Sequence, residues 1–273
     1  MKEQIVRAIE SVHASRPLVH SITNFVVMNI TANALLSAHA SPLMAHAVEE
    51  MDDLTDIDSA LVLNIGTLDA AWLESMELAG KLMRSKGKPV VLDPVGAGAS
   101  RLRTETSLRL LDMVRPQIVR GNASEIMALA SEIRRAERLP SAASSSTKGV
   151  DSLNDSLEAV DSARFLAERF GCVVSISGER DFVTDGETVL VVEGGSPLMP
   201  LVTGMGCSAS AVTGAYAACA EPLAAAAAAM AVFASAGEKA GRLANGPGTF
   251  LPHFLDEMYA IDAEDAAGRV RKI

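Results

Sequence analysis

The chain is short of the residues that staple small or metal-built proteins. It has three cysteines, Cys172, Cys207 and Cys219, an odd count without C-x-x-C spacing, which excludes a disulfide framework and a cysteine zinc site. Its five histidines contain no H-E-x-x-H, and no Walker A sequence G-x-x-x-x-G-K-[ST] occurs anywhere. Basic residues number 24 against 34 acidic, a net charge of −10. The densest basic cluster, Arg134, Arg135 and Arg138, is diluted by Glu132 and Glu137. A nucleic-acid partner would need a basic stripe to displace phosphate counterions, so none is expected. An anionic small molecule stays open, because local dipoles and one or two arginines can overcome the global field.

Targeting and membrane signals are equally sparse. Met1 to Arg16 mixes charged and apolar residues, unlike a signal peptide. Between Glu193 and Glu238 the only charge is Glu221, but that stretch is built of Gly, Ala, Ser and Thr with three prolines. A spanning helix needs about 20 strongly apolar residues. Buried helices of a soluble protein are expected instead, with no membrane partner and a reducing, cytoplasmic location.

What is present is an ordinary globular composition, 49% hydrophobic and 21% charged over 273 residues. Strand and helix patterns alternate along it, which predicts a layered α/β fold with a largely parallel sheet. Helices are expected over Met1–Ser15, Asn24–Ala38, Asp69–Ser85, Thr104–Met113, Ala123–Arg138, Ser156–Phe170, Gly206–Ala220, Glu221–Leu243 and Phe250–Tyr259. Strands are expected at Leu18–Ser21, Leu61–Ile65, Pro89–Leu92, Gln117–Arg120 and Cys172–Ile176, with a hairpin of Asp181–Thr184 and Thr188–Val192 about Asp185-Gly186. Ser141 to Lys148 is a polar Ser/Ala-rich loop, expected to be mobile and open to nicking. The alternation resumes after it, so one domain over residues 1–273 is expected.

In an open α/β sheet ligands bind beyond the carboxyl ends of the strands. Gly66-Thr67, Asp93-Pro94-Val95-Gly96, Arg120-Gly121-Asn122-Ala123-Ser124-Glu125 and Ser177-Gly178-Glu179 all fall at such ends. Thr203-Gly204-Met205-Gly206-Cys207 opens a helix, where glycines allow close approach and free N–H groups favour an anion. Ser208 and Ser210 add hydroxyls in its first turn. Cys207 stands where the helix dipole is expected to lower a thiol pKa, or is a small buried hydrophobe behind a glycine turn. Gly204-x-Gly206-x-x-Ala209 also fits a dinucleotide fingerprint, with Glu221 as the later acid. No strand follows to carry that acid, which argues against an NAD-dependent oxidoreductase. Asn122-x-x-Glu125 reads as a capping box or as an acid holding Mg²⁺ through water. Asp93 can turn the chain or face a metal, and Arg120 can hold a phosphate. Met44, after Ser41-Pro42, reads by composition as core filler.

Taken in order, several segments resemble the hydroxyethylthiazole kinases of thiamine salvage, a ribokinase-like family. They are Pro17–Asn24, Ala40–Met44, Asn64–Thr67, Leu92–Val95, Arg120–Ile126, Ser177–Asp181, Gly204–Cys207 and Gly246–Phe250. The resemblance implies a three-layer ribokinase-like α/β fold, a central mostly parallel sheet flanked by helices. It implies ATP-dependent phosphorylation of the hydroxyl of 4-methyl-5-(2-hydroxyethyl)thiazole. By position, Met44, Gly204 and Asn24 look like substrate contacts, Arg120 and Ser177 like ATP contacts, and Asp93 and Glu125 like the acids that organise Mg²⁺ through water or phosphate. Cys207 takes the place of the aspartate base of most ribokinase-like enzymes and is expected to be partly thiolate near neutral pH. The resemblance also implies a homotrimer with sites between subunits, Asn24 and Met44 facing a neighbour's Cys207. Two departures stand out: Ser177 where Thr is frequent, and Met205 where a smaller residue is usual, which would narrow the anion hole or shift substrate preference. A kinase of the thiamine pyrimidine alcohol and a non-catalytic binder of a thiamine precursor are the competing readings.

Overall fold

The computed structural model describes residues 1–140 and 151–273, and the side chains of all of these but 151–156. The Ser141–Lys148 loop therefore lies outside the described residues. In chain order the elements are α1 (Lys2–Ser15), β1 (Leu18–Ile22), α2 (Met28–Ser37), β2 (Ser41–Leu43), a 3-10 turn (Val48–Glu50), α3 (Met51–Ile57), β3 (Ala60–Asn64), α4 (Ala70–Ser85), β4 (Val90–Asp93), α5 (Arg101–Val114), β5 (Ile118–Asn122) and α6 (Ala123–Glu137). There follow α7 (Asp151–Phe170), β6 (Val173–Ser177), β7 (Asp181–Thr184), β8 (Val189–Val192), a 3-10 turn (Met199–Leu201), α8 (Met205–Ala217), α9 (Pro222–Leu243), α10 (Pro247–Tyr259), α11 (Ala263–Ala267) and β9 (Val270–Lys272).

The described strands form one nine-stranded sheet in the order β2-β1-β3-β4-β5-β6-β7-β8-β9. The pairings from β2 to β6 are parallel, and those from β6 to β9 are antiparallel. The near-continuous apolar strands follow from burial on both faces. Leu61 and Leu63 of β3 and Val90 and Leu92 of β4 join one cluster with Met76 of α4, Leu110 of α5, Leu129 of α6 and Leu166 of α7. The intervening Val62 and Val91 point into the other, with Ile9 of α1, Leu35 of α2, Tyr216 of α8 and Phe254 of α10. Helices thus cover both faces, giving the expected three layers.

The Asp185-Gly186 hairpin forms as expected, with the Asp185 carboxylate accepting from Glu187 N and Thr188 N at 3.1 and 2.7 Å. The helix expected from Asn24 instead starts at Met28. Asn24 Oδ1 accepts from Val26 N at 3.1 Å and bends the chain into a turn first. The short β2 and β9 and the helices α3 and α11 escape the periodicity reading. Each is only three to seven residues long, too few to show a period.

α9 has the length and composition to cross a membrane, but 83% of its most apolar stretch is buried inside the fold. Ala225 to Ala229 are completely buried, and this run of methyl-sized side chains lets the helix lie close to its neighbours. Ala227→Leu should accordingly overpack the layer and cost about 1–3 kcal/mol. Urea unfolding checks this; an unchanged midpoint would mean that room for a larger side chain exists there.

Candidate active site

The chain leaves β1 for β2 on one side and returns to β3 on the other, so the crevice of an open sheet falls at the carboxyl ends of β1 and β3. Asn24 follows β1 and Asn64 closes β3. Asn24 Nδ2 donates to Asn64 Oδ1 at 2.8 Å, and Asn64 Nδ2 donates to Asp93 Oδ2 at 2.7 Å. Ser210 Oγ, one turn into α8, donates to the same Asp93 oxygen at 2.7 Å. Asn24 Nδ2 also donates to Cys207 Sγ at 3.6 Å. One network thus joins three strand ends to α8 and brings Asn24, Asp93 and Cys207 together within one chain. The expectation that Asn24 faces a neighbour's Cys207 is corrected: it faces its own. Gly66 is a glycine because a Cβ there would lie 2.5 Å from Asn24 Nδ2. Sequence reasoning gave Asn64 no role, although an amide closing the apolar run Leu61–Leu63 is itself a signal, since buried polar groups need partners.

The start of α8 is open. Its N-cap, Gly204, has φ +90°, and a Cβ there would meet Ile30 Cγ2 at 2.7 Å. No side chain caps the helix, and the N–H groups of Met205, Gly206 and Cys207 find no backbone acceptor among the described residues. Arg120, only 7% exposed, donates from Nη1 to the Gly206 carbonyl at 3.0 Å, while its Nε is buried with no partner among the described residues. A cavity of about 790 Å³ opens here, lined by Arg120, Ser177, Asp181 and Gly206, with Met230 and Phe233 on its apolar wall. Arg120 and Ser177 therefore share one cavity, and the α8 start forms part of its lining. Met205 lines it too, and its side chain is buried in the helix layer.

Burial governs the charges. It raises the Asp93 carboxyl to about 6, with Glu125 pushing the same way and Arg120, Ser210 and Asn64 opposing. Burial likewise raises Asp181 to about 6, against its bond from Gly178 N and the nearby Arg120 charge. The thiol of Cys207 is pushed up to about 11, first by burial and then by Asp93. The expected partial thiolate is thus corrected: desolvation and a neighbouring carboxylate outweigh the helix start.

Glu125 forms the capping box. Asn122 Oδ1 accepts from Glu125 N at 2.9 Å, and Glu125 Oε2 accepts from Asn122 N at 2.8 Å. Its other oxygen accepts from Gly96 N at 2.8 Å, which ties the loop after β4 to the start of α6. Among the described residues no three His, Cys, Asp or Glu converge to hold a bare metal ion. Both Glu125 oxygens are already bonded, whereas Asp93 Oδ1 has no hydrogen-bond partner among the described residues. Such an oxygen set fits Mg²⁺ held through its water shell, which Mg²⁺ gives up reluctantly. Met44 takes no part in the network; it follows β2 and lies half-buried against the core.

These features define a small-molecule α/β enzyme of the ribokinase-like type. A ribokinase-like superfamily protein from Enterococcus faecalis V583 superimposes with a TM-score of 0.65 at 12% identity, covering 95% of this chain and 94% of its own. The hydroxyethylthiazole kinase structure from Pyrococcus horikoshii OT3 matches with a TM-score of 0.88 and 41% identity over 100% of both chains. A hydroxyethylthiazole kinase of Nitratidesulfovibrio vulgaris (strain DSM 19637 / Miyazaki F) is 54% identical over 270 residues, 98% of this chain and 97% of that protein. Residues 9–264 match the Hydroxyethylthiazole kinase family. The chain belongs to that family.

The raised Asp93 carboxyl has a consequence for stability. Its folded value of about 6 exceeds the ordinary 3.8, so the folded chain holds the proton more tightly than the unfolded one. Stability is therefore lost as pH rises from about 4 to about 6, and the cost persists above. Asp93→Asn should stabilise the protein at pH 8 by on the order of 1–3 kcal/mol, and by nothing near pH 3.5. Urea midpoints at the two pH values test this; an equal gain at both would assign the effect to packing.

Proposed function

We propose that the protein transfers the γ-phosphoryl group of ATP to the side-chain hydroxyl of 4-methyl-5-(2-hydroxyethyl)thiazole, making the phosphate ester of thiamine salvage. The observation that carries this reading is the start of α8, where the Asp93–Cys207 crevice and the cavity of Arg120 and Ser177 meet. A phosphoryl group passing from a nucleotide on one side to an alcohol on the other crosses the N–H groups of Met205, Gly206 and Cys207 at the open helix start. Phosphoryl transfer is catalysed chiefly by positioning and by neutralising charge spread over the transferring oxygens. Backbone donors at a helix start do this without reorganising.

Arg120 is the cation for the polyphosphate, and Ser177 offers a hydroxyl beside it. Asp93 and Glu125 would hold a hydrated Mg²⁺, which when bound neutralises polyphosphate charge. The alcohol sits against Asn24, Gly204 and Met44. At pH 7 a thiol with pKa of about 11 is ionised to roughly one part in ten thousand. Cys207 is accordingly a neutral thiol that orients the acceptor hydroxyl, and only its small thiolate fraction can take the hydroxyl proton, becoming the thiol as the oxygen bonds to phosphorus. We place the reaction in the cytoplasm, in one kinase domain that assembles as a homotrimer with sites between subunits. Phe25 and Val26 support that assembly, being 60% and 68% exposed beside Asn24, as does β2 at the sheet edge next to Met44.

Incubation with ATP, Mg²⁺ and the thiazole alcohol should yield the phosphate ester and ADP, with the thiamine pyrimidine alcohol a poor acceptor. Ligand binding without ADP release would overturn the kinase reading. In the same assay Cys207→Ala should lose about 10- to 100-fold in rate. Cys207→Asp should keep substantial activity, because a carboxylate accepts a proton at neutral pH far more readily than this thiol. Full activity in Cys207→Ala would remove Cys207 from the chemistry.

Glu125→Gln separates the two roles of that acid. Glutamine can keep the bond from Asn122 N but turns its amide N–H₂ toward Gly96 N, so one bond is lost and the melting temperature should fall by about 2–4 °C, roughly 1–2 kcal/mol. The rate at low Mg²⁺ should fall at least about tenfold and recover partly as Mg²⁺ is raised. Lost stability at an unchanged rate would leave Glu125 as a helix cap alone.

A further inference from the structure

The polar network at the strand ends leaves one buried titratable pair unused. His20, in the middle of β1, is completely buried. Its Nδ1 lies 2.7 Å from Asp58 Oδ2, and its Nε2 lies 2.9 Å from the Ala45 carbonyl. A carbonyl can only accept, so Nε2 carries a proton and donates it to Ala45. At the other end of the ring Nδ1 and Asp58 Oδ2 are joined by a hydrogen bond. Asp58 is itself anchored, because its carbonyl accepts from Lys88 Nζ at 2.8 Å, as do those of Thr55 and Asp56. Burying such a pair carries a desolvation cost that an apolar residue in β1 would avoid.

The partner of Nε2 points to what that cost maintains. Ala45 directly follows Met44, and His20 stands opposite Leu43 in the β1–β2 register. Met44 is thus bracketed, by the strand ladder on one side and by the His20–Ala45 bond on the other. The next residue, His46, stacks on Trp72 with ring centres 3.9 Å apart, and its carbonyl accepts from Ser75 Oγ. Trp72 is the only tryptophan in the chain, so its emission reports where this segment lies.

We propose that His20, oriented by Asp58, is a positioning residue for the acceptor alcohol: its Nε2–H bond to the Ala45 carbonyl fixes the segment that presents Met44 to the substrate. This rests on the reading of Met44 as a substrate contact. Two conservative replacements divide the histidine's contacts. In His20→Asn the amide overlays Nδ1, so it keeps Asp58 partnered but cannot reach Ala45. In His20→Gln the amide overlays Nε2, so it reaches Ala45 and leaves Asp58 poorly partnered.

The test measures KM for the alcohol and for ATP, the Trp72 emission and the melting temperature in both variants, with Met44→Ala alongside. His20→Asn should raise the alcohol KM about tenfold, the loss of one hydrogen bond's positioning, leave the ATP KM within about twofold and shift the Trp72 emission. His20→Gln should keep the alcohol KM within about threefold of the parent despite a lower melting temperature. Met44→Ala should also raise the alcohol KM. An alcohol KM that instead tracks melting temperature across the two His20 variants overturns the proposal, as does an unshifted emission in His20→Asn. A normal alcohol KM in Met44→Ala overturns the substrate reading of Met44, and the proposal with it. A raised one beside a normal KM in His20→Asn overturns the role of His20 alone.

Discussion

The site depends on one buried carboxylate. Asp93 ends the interior strand β4, and a single one of its oxygens accepts from both Asn64 and Ser210. Those two bonds set the spacing between β3, β4 and the helix that crosses above them. They also relay the position of β1, because Asn64 in turn accepts from Asn24. An unpartnered carboxylate could not persist at that depth. The hydrogen bonds that make it tolerable are the same ones that assemble the crevice. Its burial still raises its pKa to about 6, so the fold keeps an anion where an apolar residue would be more stable. Strain of this kind is commonly concentrated at functional sites.

Positive and negative groups around that carboxylate are layered rather than paired. Among the described residues Arg120 makes no salt bridge; its Nη1 is spent on a backbone carbonyl and its Nε has no partner there. It lowers both Asp93 and Asp181 through space. A guanidinium held in this way has unused donors directed at the cavity, and anionic oxygens are what such donors bind best. The open start of α8 adds backbone donors and a positive helix end on the same side. Donors thus run from the cavity to the start of α8, with Asp181 the nearby acid in the cavity and Asp93 the one in the crevice.

The parts of this architecture that show in the linear chain are those with a strong local cause. The apolar runs of β3 and β4, the Asp185-Gly186 turn and the Asn122–Glu125 box each act within a few residues, so local pattern is enough to find them. Gly204 announces an opening because its left-handed backbone and the approach of Ile30 leave no place for a Cβ, and a Cβ at Gly206 would crowd the Arg120 guanidinium. Asn24 is an instructive failure. It lies before a helical pattern, yet its side chain first bonds Val26 N and holds the chain in a turn, which frees its amide for Asn64 and Cys207. The Cys207 thiol is another, since a helix start argues for a lowered pKa while the Asp93 charge beside it comes from a strand more than a hundred residues earlier.

By itself the sequence determined the layered α/β plan, the positions of the strand ends and the residue types gathered there, because hydrophobic periodicity and turn chemistry are local and cumulative. Only the tertiary structure decided which of those residues meet. It brought Asn24 to its own Cys207, gave Glu125 two backbone donors, and set His20 between Asp58 and Ala45. It also reversed the sign of the Cys207 shift. Partnering and desolvation depend on what folds in from distant parts of the chain, and no pattern within one segment carries that information.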